Sequence, residues 1–312
     1  MSDVFRLGTG WLPDDPDPRD HTPRHENVLA TLGESPLARF LKSKRKLPAK
    51  VDLRTWCPPV QFQGGFNTCT SHVVATLVEY FQRKVYGKNF EASRLFLYKV
   101  TKNLLQKEGN VGVYIRQTMG ALKLLGVPPE RYWPYLDPGA FGAPNYTDPR
   151  LDVEPTPFCY ALALDYKAMT YYRLDTGAPL TDATSGGEPL LRAVKLHLSS
   201  QIPLAFGFPL YPSLSQATTT GRIPYPTESE QQLGNHAVVA VGYDDTLEVA
   251  NTNPGGGRSV GALAILNSWS AEWGEQGFGW LPYDFILKRR ARDFWTLLKA
   301  EWIDLAPFEL PL

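Results

Sequence analysis

The sequence predicts an α+β fold of two packed subdomains, because helical patterns dominate its first half and short strand patterns its second. Its length of 312 residues suggests roughly two domains at about 150 residues each. With 43% hydrophobic residues the chain can build a substantial core, which excludes a wholly disordered protein. Basic and acidic residues both number 32, so the net charge is zero and no nucleic-acid partner is expected.

Residues 1–47 are predicted to form an irregular N-terminal segment, because prolines between Pro13 and Pro36 interrupt any regular element. Residues 35–50 contain several Lys and Arg and no acid, which is typical of a solvated linker that is easily cleaved. The segment lacks the apolar run of a secretory signal, and no stretch is long enough to span a membrane. We expect a cytoplasmic protein with no membrane partner; an exported protein with a trimmed signal is the alternative.

Residues 48–165 are predicted to form a mainly helical subdomain. Apolar side chains recur there at helical spacing, and the first such run begins beside Cys69. The last run ends at Gly126, a typical helix terminator. Helices are predicted over residues 70–84, 93–101 and 114–125.

Residues 166–312 are predicted to form a mainly β subdomain with a C-terminal extension. Short apolar runs alternate there with clusters of Gly, Pro, Ser and Thr. One helix, over residues 190–198, interrupts them. Strands are predicted over residues 169–174, 204–208, 237–243, 262–266 and 278–281.

Three cysteines, Cys57, Cys69 and Cys159, are too few for a disulfide framework, and their odd number leaves at least one thiol free in a monomer. This favours a reducing compartment, and the pairing of Cys57 and Cys159 stays open. Cys69 lies in the first turn of a predicted helix, where the helix dipole stabilises a thiolate. A small buried hydrophobic residue is the alternative interpretation of Cys69.

A thiolate nucleophile needs a base, normally a histidine, and a group that orients that histidine. Among five histidines, His236 precedes an apolar strand in GNHAVVAVGYDD, and the neighbouring predicted strand ends at Asn267. Adjacent strands would bring the two side chains together, with Trp269 as an aromatic lid. A purely structural histidine is the alternative.

Gln63 precedes Cys69 by six residues in the Gly-containing stretch QFQGGFNTC. The loop would fold the Gln63 amide back toward the thiol, where it can donate to an oxyanion together with the Cys69 backbone N–H. A glutamine on a surface loop is the alternative.

Three blocks of sequence together resemble the papain/cathepsin family of cysteine peptidases: LPAKVDLRTWCPPVQFQGGFNTCTSHVVA, GNHAVVAVGYDD and ILNSWSAEWGEQGFGWLPY. The resemblance implies a papain-like fold, with a helical left subdomain, an antiparallel β-barrel-like right subdomain and the active-site cleft between them. It assigns the oxyanion donor to Gln63, the nucleophile to Cys69, the base to His236 and the orienting amide to Asn267. His72, in a Cys-Thr-x-His sequence, resembles a bacterial branch.

The chain departs from the family pattern at three positions. Phe66 replaces the usual second cysteine, so the disulfide which that cysteine would form is absent. Thr70 replaces the tryptophan after the nucleophile, and Ser270 replaces the glycine of Asn-Ser-Trp-Gly. These changes affect specificity and stability more than the reaction itself.

The reaction implied by the resemblance is peptide-bond hydrolysis by a cysteine endopeptidase through a Cys69 thioester, with peptides or proteins as substrates. The family pairs a Gly-rich stretch with extended substrate, and its nearest match here is Asn110 to Gly112 in NVGVY. Gly112 and Trp269 are therefore the expected substrate-binding residues. A catalytically inactive peptide-binding relative and a Cys-dependent acyl or γ-glutamyl transferase are the alternatives.

Two hypotheses remain for residues 1–47. They form a propeptide that crosses the cleft and blocks Cys69, with cleavage at the basic run 42–46 releasing an active enzyme from a zymogen. Alternatively they form a permanent structural wrap. No metal or cofactor is expected, because Cys69-x-x-His72 and His21-x-x-x-His25 are isolated pairs and no nucleotide-binding motif occurs.

Overall fold

A single antiparallel sheet and the helices packed on it make up the fold of this computed structural model, which describes residues 8–33, 38–39, 46–135, 148–167, 170–175 and 187–299. The predicted α+β class is confirmed. The helices are α1 (Glu26–Leu32), α2 (Cys69–Tyr86), α3 (Arg94–Leu105), α4 (Ile115–Leu125), α5 (Pro157–Ala163), α6 (Glu188–Ser199) and α7 (Asp284–Leu287). The strands are β1 (Lys50–Asp52), β2 (Thr170–Arg173), β3 (Leu204–Leu210), β4 (Gly234–Ala250), β5 (Arg258–Leu266), β6 (Phe278–Pro282) and β7 (Arg292–Leu298).

All four predicted helices are present, as α2, α3, α4 and α6, with ends that differ by a few residues. Helix α3 begins after Ser93, whose hydroxyl accepts the Phe96 N–H and caps the first turn. Helix α2 is buried along most of its length and packs against β4. Its first residue is Cys69, so the position of this helix fixes the position of the thiol.

The strands follow the order β2-β7-β3-β4-β5-β6, and β1 pairs with the middle of β4, at residues 242–244. All five predicted strands occur; the first begins at Thr170, and Met169 lies outside the described residues. The sheet is not closed into a barrel, because β2 and β6 form its two edges within the described part of the chain. Strand β4 lies at the centre, where it is paired on both sides.

The prediction of an irregular N-terminal segment is wrong in one place, since residues Glu26–Leu32 form helix α1. Val28 and Leu32 of this helix are buried, and α1 lies against β2. The sequence analysis also missed α5, α7, β1 and β7. Most of the basic run 42–46 lies outside the described residues, and its last member, Lys46, is exposed.

The predicted division near residue 165 stays a prediction, and the elements do pack across it. Strand β1 precedes the division and pairs with β4, which follows it. Residues 300–312, the predicted C-terminal extension, lie outside the described residues. Among the described helices, none combines the length and apolarity that a bilayer crossing requires.

Candidate active site

Cys69 lies fully buried at the start of α2. The backbone N–H groups of Ala237, Gly10, Thr70 and Trp11 approach its sulfur. Ala237 directly follows His236 on β4, so the sheet brings the predicted base next to the predicted nucleophile. The thiol and the imidazole, far apart in sequence, are therefore neighbours in the fold.

His236, on β4, faces Asn267, which directly follows the paired strand β5, as their sequence positions predicted. The His236 Nε2 atom lies 2.8 Å from the Asn267 Oδ1 atom, and both side chains are buried. The Trp269 ring stacks on the imidazole at a centroid distance of 4.4 Å. The other ring nitrogen, Nδ1, has no hydrogen-bond partner within the described part of the chain, which leaves it available to the thiol.

Gln63 is fully buried, which contradicts the alternative of a surface-loop glutamine. Its Nε2 group donates to the carbonyl oxygens of Gly8 and Phe66, both at 2.9 Å. Its Oε1 atom accepts a 2.6 Å hydrogen bond from the Ser268 hydroxyl, and its backbone N–H donates to the Ser268 carbonyl. Because Ser268 holds the oxygen end of the amide, the N–H end must point toward the cleft.

Ser268 is a site residue that the sequence analysis missed, although it lies inside the Asn-Ser-Trp block. Its backbone N–H donates to the Asn267 Oδ1 atom at 2.8 Å, and its hydroxyl and carbonyl bind Gln63, so it connects the residue that orients the imidazole with the oxyanion donor. The Asn-Ser-Trp block already contains this serine. The sequence does not show, however, that its hydroxyl reaches Gln63, which lies 205 residues earlier.

Residues 8–12, which we call the cleft segment, lie across this site. The Gly8 N–H donates to the Gly64 carbonyl at 3.0 Å, so the segment is fixed beside the loop that carries Gln63. Further along, Val113 donates to the Gly10 carbonyl at 2.9 Å and accepts from the Leu12 N–H at 3.0 Å. The pairing of Trp11 with Val113 is parallel.

Gly112, the predicted backbone partner of substrate, lies beside the cleft segment but does not make these hydrogen bonds. They are made by Val113, one residue later. A Cβ atom at Gly112 would come within 2.9 Å of the Leu12 side chain and 3.0 Å of the Gly10 carbonyl. The role of Gly112 in the structure is thus to leave room for an extended chain.

Two glycines of the cleft segment allow this close approach. A Cβ atom at Gly8 would lie 1.9 Å from the Phe66 carbonyl oxygen, and one at Gly10 would lie 2.0 Å from the Asn67 carbonyl oxygen. Both obstacles are backbone atoms, which cannot move aside as a flexible side chain would. No larger residue fits at either position while the segment lies in the cleft.

The predicted thiolate is not the form that this arrangement favours. Burial raises the pKa of the Cys69 thiol to about 11, although the surrounding N–H groups oppose that shift. Burial likewise lowers the pKa of His236 to about 4, against the opposing hydrogen bond to Asn267. Beneath the cleft segment, the thiol and the imidazole are therefore both neutral.

The other histidines and cysteines do not join the site. His72 is buried; its Nδ1 atom lies 3.0 Å from the Thr68 carbonyl oxygen. Cys57 and Cys159 are buried free thiols. Across the described ranges, no group of three or more His, Cys, Asp or Glu residues is placed to hold a metal ion.

The geometry matches a known class of enzyme, peptidases with a Cys–His–Asn site. The model of the papain family cysteine proteases matches residues 159–285, which include His236 and Asn267. Xylellain, a cysteine protease from Xylella fastidiosa, superposes with a TM-score of 0.69 at 28% identity, covering 94% of this chain and 96% of its own.

Two further matches extend over most of the chain. An uncharacterized peptidase C1-like protein of Acanthamoeba polyphaga mimivirus is 27% identical over 92% of this chain and 86% of its own length. Procathepsin L2 from the larval midgut of Tenebrio molitor has the same fold, with a TM-score of 0.62 at 16% identity, covering 95% of this chain and 80% of its own. The chain therefore has a papain-like fold and is similar to papain family cysteine proteases along most of its length.

Proposed function

We propose that the protein is a cysteine endopeptidase that its own cleft segment keeps inactive. The hydrogen bond from Gln63 Nε2 to the Gly8 carbonyl carries this proposal, because it places a main-chain carbonyl on the donor that would hold a substrate's oxyanion. The same segment brings the Gly10 and Trp11 amides to the Cys69 sulfur. The nucleophile and the oxyanion donor are thus occupied together.

In the open enzyme, the His236 imidazole takes the Cys69 proton, and the thiolate attacks the carbonyl carbon of a peptide bond. Gln63 and the Cys69 backbone N–H hold the oxyanion of the tetrahedral intermediate. His236 then protonates the leaving amine, which frees the first product and leaves a Cys69 thioester. Water, deprotonated by His236, hydrolyses the thioester, while Asn267 keeps the ring in register.

The cleft segment resists this attack because it presents amide N–H groups to the sulfur. Hydrogen-bond donors of this kind satisfy the sulfur without offering it an electrophilic carbon. Farther along, Asp14 and Asp20 form ion pairs with the Arg116 guanidinium, at 2.5 Å and 2.7 Å. These ion pairs anchor the chain just beyond the cleft segment to the same molecule. This anchoring favours inhibition within one molecule.

We also propose that the enzyme acts in the cytoplasm or another reducing compartment. Its three cysteines, all within the described residues, are free and buried, so the fold has no need of an oxidising environment.

The first experiment compares peptide hydrolysis by the wild-type chain with that by a Gly10→Val chain, in which the valine side chain expels the segment. The substrates are a denatured protein and a mixture of fluorogenic peptides. We expect the Gly10→Val chain to cleave both and the freshly purified wild-type chain to cleave neither. Gly257→Val is the matched control, because no atom lies within 4 Å of a Cβ at Gly257.

The controls distinguish self-inhibition by the cleft segment from the absence of peptidase activity. Cys69→Ser in the Gly10→Val chain should abolish cleavage. Full activity of the wild-type chain with an unshortened N-terminus would disprove self-inhibition. A folded Gly10→Val chain that binds peptides without cleaving them would instead indicate an inactive relative, and conjugates formed with an added amine in place of hydrolysis products would indicate a transferase.

Ser268→Ala tests the positioning of Gln63. Loss of one hydrogen bond of about 1 kcal/mol should lower kcat about 5-fold in the Gly10→Val chain, because the Gln63 amide is no longer held in one orientation. The rate at which iodoacetamide alkylates Cys69 should stay unchanged, since alkylation forms no oxyanion. An equal fall in both rates would contradict this role and point to a general disturbance of the site.

A further inference from the structure

The side chain of Trp11 fills a pocket beside the nucleophile. Its indole ring is buried, with 1% of its surface exposed, and lies flat against Gly207 on β3. Its Nε1–H group donates to the Asp293 carboxylate at 2.9 Å. The backbone N–H of Trp11 also approaches the Cys69 sulfur. A residue whose side chain fills this pocket therefore has its backbone beside the nucleophile.

The floor of the pocket exists only because β3 carries a glycine there. A Cβ atom at Gly207 would lie 2.1 Å from the Trp11 ring. Glycine inside a strand weakens the strand and commonly marks the close approach of another group. The space above Gly207 is therefore a property of the sheet, and it persists when the cleft segment leaves.

The end of the pocket is formed by a β-bulge that turns Asp293 inward. Ala205 pairs with Trp295 and Gly207 with Arg292, so two residues of β7 lie opposite one of β3. Asp293, the first of the two, has a positive φ of 61°, a conformation that costs energy in a residue other than glycine. Bulges of this kind often re-aim a side chain beside an active site.

Asp175 holds this bulge from the other side. Its carboxylate accepts the backbone N–H of Asp293 at 2.8 Å and that of Phe294 at 3.0 Å. These two contacts fix the backbone of the bulge independently of Trp11. The Asp293 carboxylate is thus aimed into the pocket by the body of the protein.

The charges around the pocket favour a neutral hydrogen-bond donor over a cation. Arg173 pairs with the Asp293 Oδ1 atom at 2.8 Å. Oδ2 accepts the Asp14 backbone N–H and the Trp11 Nε1–H, both at 2.9 Å, so the position open to a ligand on Oδ2 is the one that Trp11 occupies. The Arg292 guanidinium lies 6.0 Å from the centre of the indole ring and would repel a Lys or Arg side chain. A flat ring with an N–H at its edge fits all three features: it packs on Gly207, donates to Asp293 and carries no positive charge that Arg292 would repel.

We propose that the open enzyme selects substrates that place a tryptophan side chain between Gly207 and Asp293, so that Trp11 occupies the pocket as a mimic of the substrate. This inference rests on the proposed peptidase function. It makes Gly207 and Asp293 the residues that determine specificity.

The test uses the full-length Gly10→Val chain at pH 8, with Gly8→Val as a second open variant. The substrates are sets of fluorogenic peptides in which one position at a time is varied. The varied residue is Trp, Phe, Ala, Arg or 3-benzothienylalanine, which has the shape of Trp but carries a sulfur in place of the N–H. At the position that enters the pocket, we expect kcat/KM to be about tenfold higher for Trp than for the isostere, because the isostere cannot donate to the carboxylate. Gly207→Ala should remove the preference for Trp, whereas Gly257→Ala, at a position where a Cβ meets nothing within 4 Å, should leave it unchanged.

A second measurement distinguishes failure of this inference from failure of the proposed function. A peptide with the sequence of residues 9–15, and its 3-benzothienylalanine analogue, are titrated against the Gly10→Val chain that also carries Cys69→Ser. We expect about tenfold weaker binding of the analogue, whether or not the enzyme turns over. Equal binding of the two peptides, or efficient cleavage with no preference or with a preference for Arg, would overturn the pocket proposal and leave the peptidase function standing.

Discussion

In the Gly10→Val chain, Cys69 is expected to react with iodoacetamide at pH 7 about 100-fold faster than in the wild-type chain, or faster still. Burial raises the pKa of this thiol to about 11 from its ordinary value of 9. Removal of the cleft segment restores water to the sulfur, so the thiolate fraction at pH 7 rises about 100-fold. Each thiolate becomes less nucleophilic as its pKa falls, but the newly exposed sulfur gains access to the reagent, and His236 can now pair with it.

The shape of the pH profile tests the same idea without depending on the absolute rate. In the wild-type chain the alkylation rate should still be rising at pH 10, because the thiol pKa lies above that pH. In the Gly10→Val chain the rate should level off about two pH units lower than in the wild-type chain, or lower still where His236 pairs with the thiolate. Mass spectrometry assigns the modified residue, and Cys57, whose pKa burial raises to about 12, serves as an internal reference. Superimposable profiles for the two chains would show that the segment does not control the thiol.

While the cleft segment is in place, the Cys69 thiol is neutral for a reason of magnitude. The start of a helix stabilises a negative charge by about 0.3–1 kcal/mol at an exposed position. Moving the thiol pKa from 9 to about 11 corresponds to about 3 kcal/mol in the opposite direction. Burial under the cleft segment therefore outweighs the helix dipole, and no feature of the sequence around Cys69 shows that the segment is there.

The core of the site could be predicted because local patterns specify it. Helix α2 has a long apolar repeat that places Cys69 at its first turn. Strand β4 carries His236, and Asn267 directly follows the paired strand β5, which brings the two side chains together. These elements are long, and their side-chain periodicity alone identifies them.

The parts that escaped prediction depend on contacts between distant residues. The Trp11 ring meets Asp293, 282 residues later, and the bulge that aims this carboxylate leaves no signature in RDFWTLL. Helix α1 has seven residues, too few to be stable alone, so it forms because Val28 and Leu32 are buried in the fold. Strand β1 is only three residues long and exists through its pairing with β4.

Replacing Glu79 with alanine is expected to lower the free energy of unfolding by about 3–5 kcal/mol, because it leaves the Arg94 guanidinium buried without a counter-ion. Both Glu79 oxygens accept from Arg94 Nη2, at 2.9 Å and 2.8 Å, and the two side chains are only 1% and 2% exposed. Glu79 also accepts the backbone N–H of Ala92 at 2.7 Å. This network joins α2, the helix that begins at Cys69, to the start of α3.

Urea unfolding of the full chain measures the effect, with the exposed Glu91→Ala as the matched control. A double variant, Glu79→Leu with Arg94→Met, removes both members of the ion pair. Comparison with Glu79→Ala shows how much of the destabilisation comes from leaving the Arg94 charge buried without a partner. The double variant should be more stable than Glu79→Ala, since apolar side chains replace both charges and the groups that lose a partner, the N–H and the carbonyl of Ala92, are uncharged. If Glu79→Ala unfolds at the same urea concentration as Glu91→Ala, the buried pair does not stabilise the junction of the two helices. A destabilised but folded Glu79→Ala chain would in addition show faster alkylation of Cys69, because the helix that positions the thiol is then less firmly anchored beneath the cleft segment.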